Sequence, residues 1–250
     1  MENLYDLIWE QLYFEEICKS KNNGCTLLAP GPVLGKGISE TEILALTQQN
    51  NIQFPNSLIE FYKQASQVYL RWELFEGESG GRKDTSVQFK ENTWLKENYL
   101  DKGYSWEAVK ILLSGNLNIA ELKDIIEIEN LKATGIYQAT EKLGMKGGDL
   151  RPIDFNEYAV ACMKVEDGKL IDNIYLNTGF GGLPEALHNM NVTFEQYLEL
   201  AYKAKCFNYW NLIYCLKDKV PNQELMKRFF PVIFPHLEPD LEVFGIRYND

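Results

Sequence analysis

The stretch GPVLGKGIS, Gly31 to Ser39, gathers glycines and a lysine just ahead of a helical pattern. That is the composition of a loop whose amides cradle phosphate. A P-loop, however, requires G-x-x-x-x-G-K-[ST], with the last hydroxyl placed on magnesium. Here Gly31 to Gly35 is one residue short, Lys36 is followed by Gly37, and Pro32 removes an amide donor. These departures exclude the motif. The stretch ends instead in Ser39-Glu40-Thr41-Glu42, an S-x-x-E capping box, with Ile38 and Ile43 as the hydrophobic staple across it. It reads as a Pro/Gly-rich link over residues 29–37 and a helix start. Thr193 with Gln196 repeats the box, and Val192 with Tyr197 repeats the staple.

No other constellation announces a reaction. Neither His188 nor His236 belongs to an H-E-x-x-H pair, so a helical zinc site is not expected. The five cysteines, Cys18, Cys25, Cys162, Cys206 and Cys215, form no C-x-x-C and read as buried free thiols. The run TGFGGLPE, residues 178–185, lacks the G-x-G-x-x-G spacing of a dinucleotide fingerprint and reads as a mobile turn. The letters G-x-S-x-G occur at Gly77-Glu78-Ser79-Gly80-Gly81, but inside the tract 76–86, whose composition reads as a flexible loop, so no strand-to-helix elbow of a serine hydrolase is expected there. Carboxylates are plentiful, Glu73, Glu76, Glu78, Asp149, Asp154 and Asp172 among them, so a paired acid and base stays open from sequence alone. Neither a cofactor nor a metal is expected.

The bulk properties narrow the class. With 250 residues, 45% of them hydrophobic and 13% aromatic, the chain can bury a substantial core. The longest strictly apolar run, Ala159 to Met163, predicts no membrane span, and the acidic start MENLYDLIWEQ does not resemble a secretory signal. A cytoplasmic protein is expected. A net charge of −11 disfavours nucleic acid, whose phosphates want a basic face, and suits capture of a basic protein partner.

The elements that must position any site follow from periodicity. A helix is expected over residues 2–19, with Leu4, Leu7, Ile8, Leu12 and Phe14 as its stripe. A second runs from Ser39 to about Asn50, and a third follows Pro55, with Leu58, Phe61 and Tyr62 at helical spacing. Val68, Leu70, Trp72 and Leu74 alternate with Tyr69, Arg71, Glu73 and Phe75, which is strand period and points Trp72 into the core. Residues 76–86 and 140–150 read as loops, and weaker strand signals lie at Val87–Lys90 and Val109–Leu113. IAELKDIIEIENL predicts a helix. Two β-prone runs flanking Glu166-Asp167-Gly168-Lys169 predict a hairpin over 158–176, because Asp-Gly supplies the positive backbone angles of a tight turn. VTFEQYLELAYKA and most of the chain from 211 to Phe230 read as helical. The order predicts an α+β fold, a largely antiparallel, possibly mixed, sheet flanked by helices.

The succession of motifs resembles the SUKH superfamily, typified by a yeast cell-wall-synthesis regulator. It starts at GISETEILALTQQNNIQFPNSLIEFYKQASQVYLRWELF: a capped helix after Gly37, the Phe54-Pro55 step, the Glu60-Phe61-Tyr62 helix and a strand bearing Trp72. A second block, VTFEQYLELAYKAKCFNYW, is similar to the family's late helix, with Phe194, Leu198 and a closing Trp210. Where many members have Asn-Gly ahead of the tryptophan strand, this chain has ASQVY. The likeness covers about residues 35–210 of a single expected domain, 1–250, with an N-terminal helix (2–19) and a helical extension (about 211–250) as additions. It implies Gly37, Pro55, Phe61, Tyr62, Trp72, Phe194, Leu198 and Trp210 as framework residues and a non-catalytic role. Bacterial members resemble immunity proteins that block a toxin such as a nuclease; eukaryotic ones resemble regulators that act by binding.

The expectation is therefore an immunity protein that holds a basic toxin domain stoichiometrically, with neither nucleic acid nor membrane as partner. The acids expected to steer that partner are Glu76, Glu78 and Asp84 in one loop, and Glu166 and Asp167 at the hairpin tip. Exposed aromatics from among Tyr69, Phe75 and Tyr99 are candidate anchors. A scaffold for a host protein is the second reading, and an enzyme with a carboxylate pair the third.

Overall fold

The computed structural model describes residues 3–18, 27–77, 84, 86–155, 159–178, 186–217, 222–237 and 240–247. Its strands are β1 (Leu27–Leu28), β2 (Val33–Lys36), β3 (Ala65–Leu74), β4 (Gly115–Ile119), β5 (Leu150–Phe155), β6 (Val160–Glu166), β7 (Lys169–Asn177) and β8 (Leu187–Asn189). They hydrogen-bond in the order β1-β3-β4-β5-β6-β7-β8, with β2 also on β3. The registers β1–β3, β2–β3 and β4 through β8 are antiparallel. The fold is α+β, as the element order predicts. Among the described residues no helix is long and apolar enough to cross a membrane.

Two compact units divide the chain, and neither is a continuous stretch. The first comprises Met1–Leu7, Val33–Tyr69 and Leu117–Tyr202. It carries helices α2 (Glu40–Gln49) and α3 (Asn56–Gln64). The Ser39 capping box forms in both directions: Glu42 N donates to Ser39 Oγ at 3.3 Å and Ser39 N to Glu42 Oε2 at 3.0 Å. Pro55, expected at the first helical position, is instead the N-cap of α3, which begins at Asn56. Leu58, Phe61 and Tyr62 are fully buried. Phe61 packs edge-on to Phe194 with ring centroids 5.1 Å apart, and the Tyr62 hydroxyl donates to Ala120 O at 2.6 Å. Gly37 is required by a close approach: a Cβ there would stand 2.1 Å from Lys63 O, beside the bond from Ile38 N to Tyr62 O.

Further along this unit, α7 (Leu122–Ile126), α8 (Ile128–Ala133) and α9 (Ile136–Lys142) precede β5. The sequence predicts one helix where α7 and α8 stand. Arg151, buried in β5, explains the break: its Nη1 donates to Ile125 O and Ile126 O at 3.1 and 3.0 Å, taking carbonyls that close α7. The expected hairpin is present as β6 and β7, with Asp167 at φ 48° and Gly168 at φ 73°. α10 (Phe194–Lys203) starts in the second capping box, where Thr193 N donates to Gln196 Oε1 and Gln196 N to Thr193 Oγ1.

The second unit comprises Ile8–Pro32, Leu70–Asn116 and Lys203–Asp250. Val68, Leu70, Trp72 and Leu74 of β3 are all buried, as their alternation predicts. Trp72 donates from Nε1 to Lys205 O at 2.7 Å and stacks edge-on to Phe234. Gly115 leaves room for it, since a Cβ would fall 2.1 Å from that indole nitrogen. Trp210 packs against Phe244. Besides α11 (Trp210–Leu216) and α12 (Asn222–Ile233), the unit holds α4 (Ser86–Lys90), α5 (Thr93–Asn98) and α6 (Trp106–Leu112).

Further expectations change. Val87–Lys90 and Val109–Leu113 are not strands but lie in or at the end of α4 and α6. Ser86 and Phe89 bury one face of α4, Val109 and Leu113 one face of α6, and Ser105 caps the latter by accepting from Ala108 N. Short apolar runs fit either period, and here the cap decides. The link over 29–37 contains β2, because Val33, Leu34 and Lys36 find partners in Tyr69, Val68 and Ala65. The N-terminal helix α1 (Tyr5–Cys18) winds with the wider turns of a π-helix. Its buried residues, Ile8, Leu12, Tyr13 and Ile17, recur every four to five positions, which leaves Phe14 exposed. The described cysteines, Cys18, Cys162, Cys206 and Cys215, are free thiols, but only Cys162 and Cys206 are buried as expected, while Cys18 and Cys215 are half-buried; burial still raises the Cys215 thiol to about 12. The glycine turn expected from residue 179 onward, and Cys25, lie outside the described residues.

Candidate functional site

The two sets of acids expected to steer a partner fall in different units, and the structure uses them differently. Glu76, in the second unit, follows β3 and is fully engaged. Its Oε1 accepts from Lys90 Nζ at 2.8 Å and from the Trp106 indole at 2.7 Å; its Oε2 accepts from Lys110 Nζ at 2.7 Å. Lys110 also pairs with Glu107. The hydrogen bonds from Lys110 and Lys90 hold the Glu76 carboxyl down at about 2. The indole and two ammonium groups thus pin the start of the loop to α4 and α6. Asp84 accepts from Ser86 N at 2.8 Å at the head of α4, and its bonds with Ser86 lower its pKa. Glu78 lies outside the described residues.

Glu166 and Asp167 are exposed at the tip of the β6–β7 hairpin, next to exposed Lys169. Their surroundings were not legible from spacing. Gln53, in the link between α2 and α3, donates from N to Gly168 O and accepts at O from Leu170 N, each at 2.8 Å. This short parallel bridge ties the hairpin tip to the link. Asn51 turns the link with φ 52°, a conformation asparagine tolerates, and Ile52 N returns to Thr47 O at 3.0 Å.

Between link and tip lies a cleft of about 600 Å³. Gln48 and Asn51 offer carboxamides to it, while Ile52, Phe54 and Ile59 supply apolar wall. Leu44, 44% exposed, forms an apolar lip, and Asp167 is the one ionisable side chain among the described lining residues. The arrangement offers hydrogen bonds, apolar contact and a negative rim.

The remaining candidate carboxylates serve the framework. Asp172 on β7 accepts from Ser57 Oγ at 2.8 Å and from Phe194 N at 2.9 Å, so it anchors the start of both α3 and α10. Asp149 Oδ2 accepts from Lys146 N and closes a turn. Asp154 is fully buried, accepting from Asn118 N at 2.8 Å and from the Tyr197 hydroxyl at 2.8 Å, and burial raises it to about 6. Glu73 pairs with Arg71. Burial lowers the pKa of His188. Of the candidate aromatic anchors, Tyr69 is 36% exposed and Tyr99 only 8%. No protein-family model, characterised protein or solved structure compared with the chain matches it.

Proposed function

We propose that the chain is a non-catalytic, cytoplasmic binding protein of the SUKH type, an immunity protein that neutralises a basic toxin domain by stoichiometric binding at the hairpin-tip cleft. The observation that carries this reading is the cleft itself: an open concavity with apolar wall, carboxamides and an acidic rim on a hairpin tied by two backbone bonds. A net charge of −11 supports it, because complementary fields raise encounter rates with a basic partner. So does the motif order from Gly37 to Trp210. A useful inhibitor needs a Kd near nanomolar, about −12 kcal/mol, which an ordinary interface of about 1,600 Å² with a few anchors supplies.

The experiment is co-expression. The partner captured from the chain's own host is expressed in a sensitive cell with and without this protein. Growth arrest relieved by the wild-type chain, and not by Glu166→Lys with Asp167→Lys, supports the reading. A captured host protein that is harmless alone would replace it with the scaffold reading.

A further inference from the structure

The link that lines the hairpin-tip cleft is itself one residue of sheet. Gln53 N donates to Gly168 O and Gln53 O accepts from Leu170 N, each at 2.8 Å, which makes a parallel bridge from Gln53 to Lys169. A trans peptide holds its C=O and its N–H on opposite sides, and no cis bond occurs among the described residues. Ile52 O shares its peptide with Gln53 N, and Phe54 N shares its peptide with Gln53 O. Both therefore point away from the hairpin. Neither Ile52 O nor Phe54 N has a hydrogen-bond partner among the described residues, and both residues line the cleft.

An unpaired carbonyl and an unpaired amide on either side of one extended residue are what a sheet edge offers to another strand. A single residue of a parallel strand fills both with its own N–H and C=O, as Gln53 fills Gly168 O and Leu170 N. We infer that the cleft takes an extended segment of a protein partner, laid parallel to the link and paired through its main chain to Ile52 O and Phe54 N. The surroundings suit that occupant. Leu44, Phe54 and Ile59 give an apolar wall to a side chain of the segment. Gln48 and Asn51 carry carboxamides, each donor and acceptor at once, which matches neighbouring peptide groups better than it matches a charge. A volume of about 600 Å³ falls in the range of ligand pockets. The inference rests on the reading of this cleft as the binding site, and names the form in which the partner enters it.

The test leaves the protein unaltered and needs no toxin. A capped Ala-Leu-Ala peptide is titrated into the full chain while the main-chain N–H resonance of Phe54, assigned by comparison with Phe54→Leu, is followed by NMR. Its depsipeptide counterpart carries an ester oxygen in place of the leucine N–H, so it keeps the shape and the side chain and loses the donor. The Ala-Leu-Ala peptide is expected to move the Phe54 amide proton downfield saturably and to slow its exchange with solvent. The depsipeptide is expected to bind about 2- to 10-fold more weakly, the worth of one hydrogen bond. No saturable shift at Phe54, unchanged exchange of its amide at saturation, or equal binding of the depsipeptide would overturn the assignment. A partner still captured through Glu166 and Asp167 would then keep the receptor reading without the strand pairing. Loss of that capture with the peptide still bound would remove the receptor reading and leave this site standing.

Discussion

Asp154 is fully buried, and its two hydrogen-bond donors among the described residues, Asn118 N and the Tyr197 hydroxyl, are both neutral. Its pKa is raised from 3.8 to about 6 by burial. The folded state therefore holds the proton more tightly than the unfolded chain. The stability this contributes is fully present below pH 3.8 and is lost as pH rises through about 6. The loss is on the order of 3 kcal/mol. Asp154→Asn, which removes the titrating group and keeps a carbonyl oxygen to accept one of the two hydrogen bonds, is expected to flatten that slope in urea melts compared between pH 4 and pH 7. Glu76 carries the opposite sign. Its carboxyl sits at about 2, so its network persists at neutral pH and is lost only as pH falls through that value. Glu76→Gln is expected to cost about 1–2 kcal/mol at pH 7, less at high salt because the lysines are partly exposed.

At the scale of elements, caps and close approaches set the outcome. Gly37→Ala drives a Cβ into Lys63 O and is expected to lower stability by about 1–3 kcal/mol by overpacking. Ser39→Ala is expected to cost about 1 kcal/mol by unpairing the first turn of α2, measured by denaturant midpoint. These positions were legible in advance: the two capping boxes, the Asp-Gly hairpin and the alternation through Trp72 are local signals that tertiary contacts left intact. What was not legible is long-range. The break between α7 and α8 depends on Arg151, 25 residues away from Ile126. The cleft depends on Gln53 meeting Gly168, and the double anchoring of Asp172 joins α3 and α10 to β7. Glu76 looked like an exposed loop acid, because nothing in its immediate sequence shows that Lys90, Trp106 and Lys110 converge on it.

At the scale of the whole molecule, the proposed function makes this acidic chain, with a cleft at a pinned hairpin tip, a receptor for a basic surface. Its association with such a partner should weaken steeply as ionic strength rises, through a slower encounter. The most direct measurement is a paired affinity isolation from the native host at low and high salt. Tagged wild-type chain is compared with Glu166→Lys and Asp167→Lys combined, the captured proteins being identified by mass. The account predicts one basic protein, held stoichiometrically by the wild type, weakened by salt and lost from the variant. A stoichiometric partner retained equally by both chains, with no dependence on salt, would contradict it.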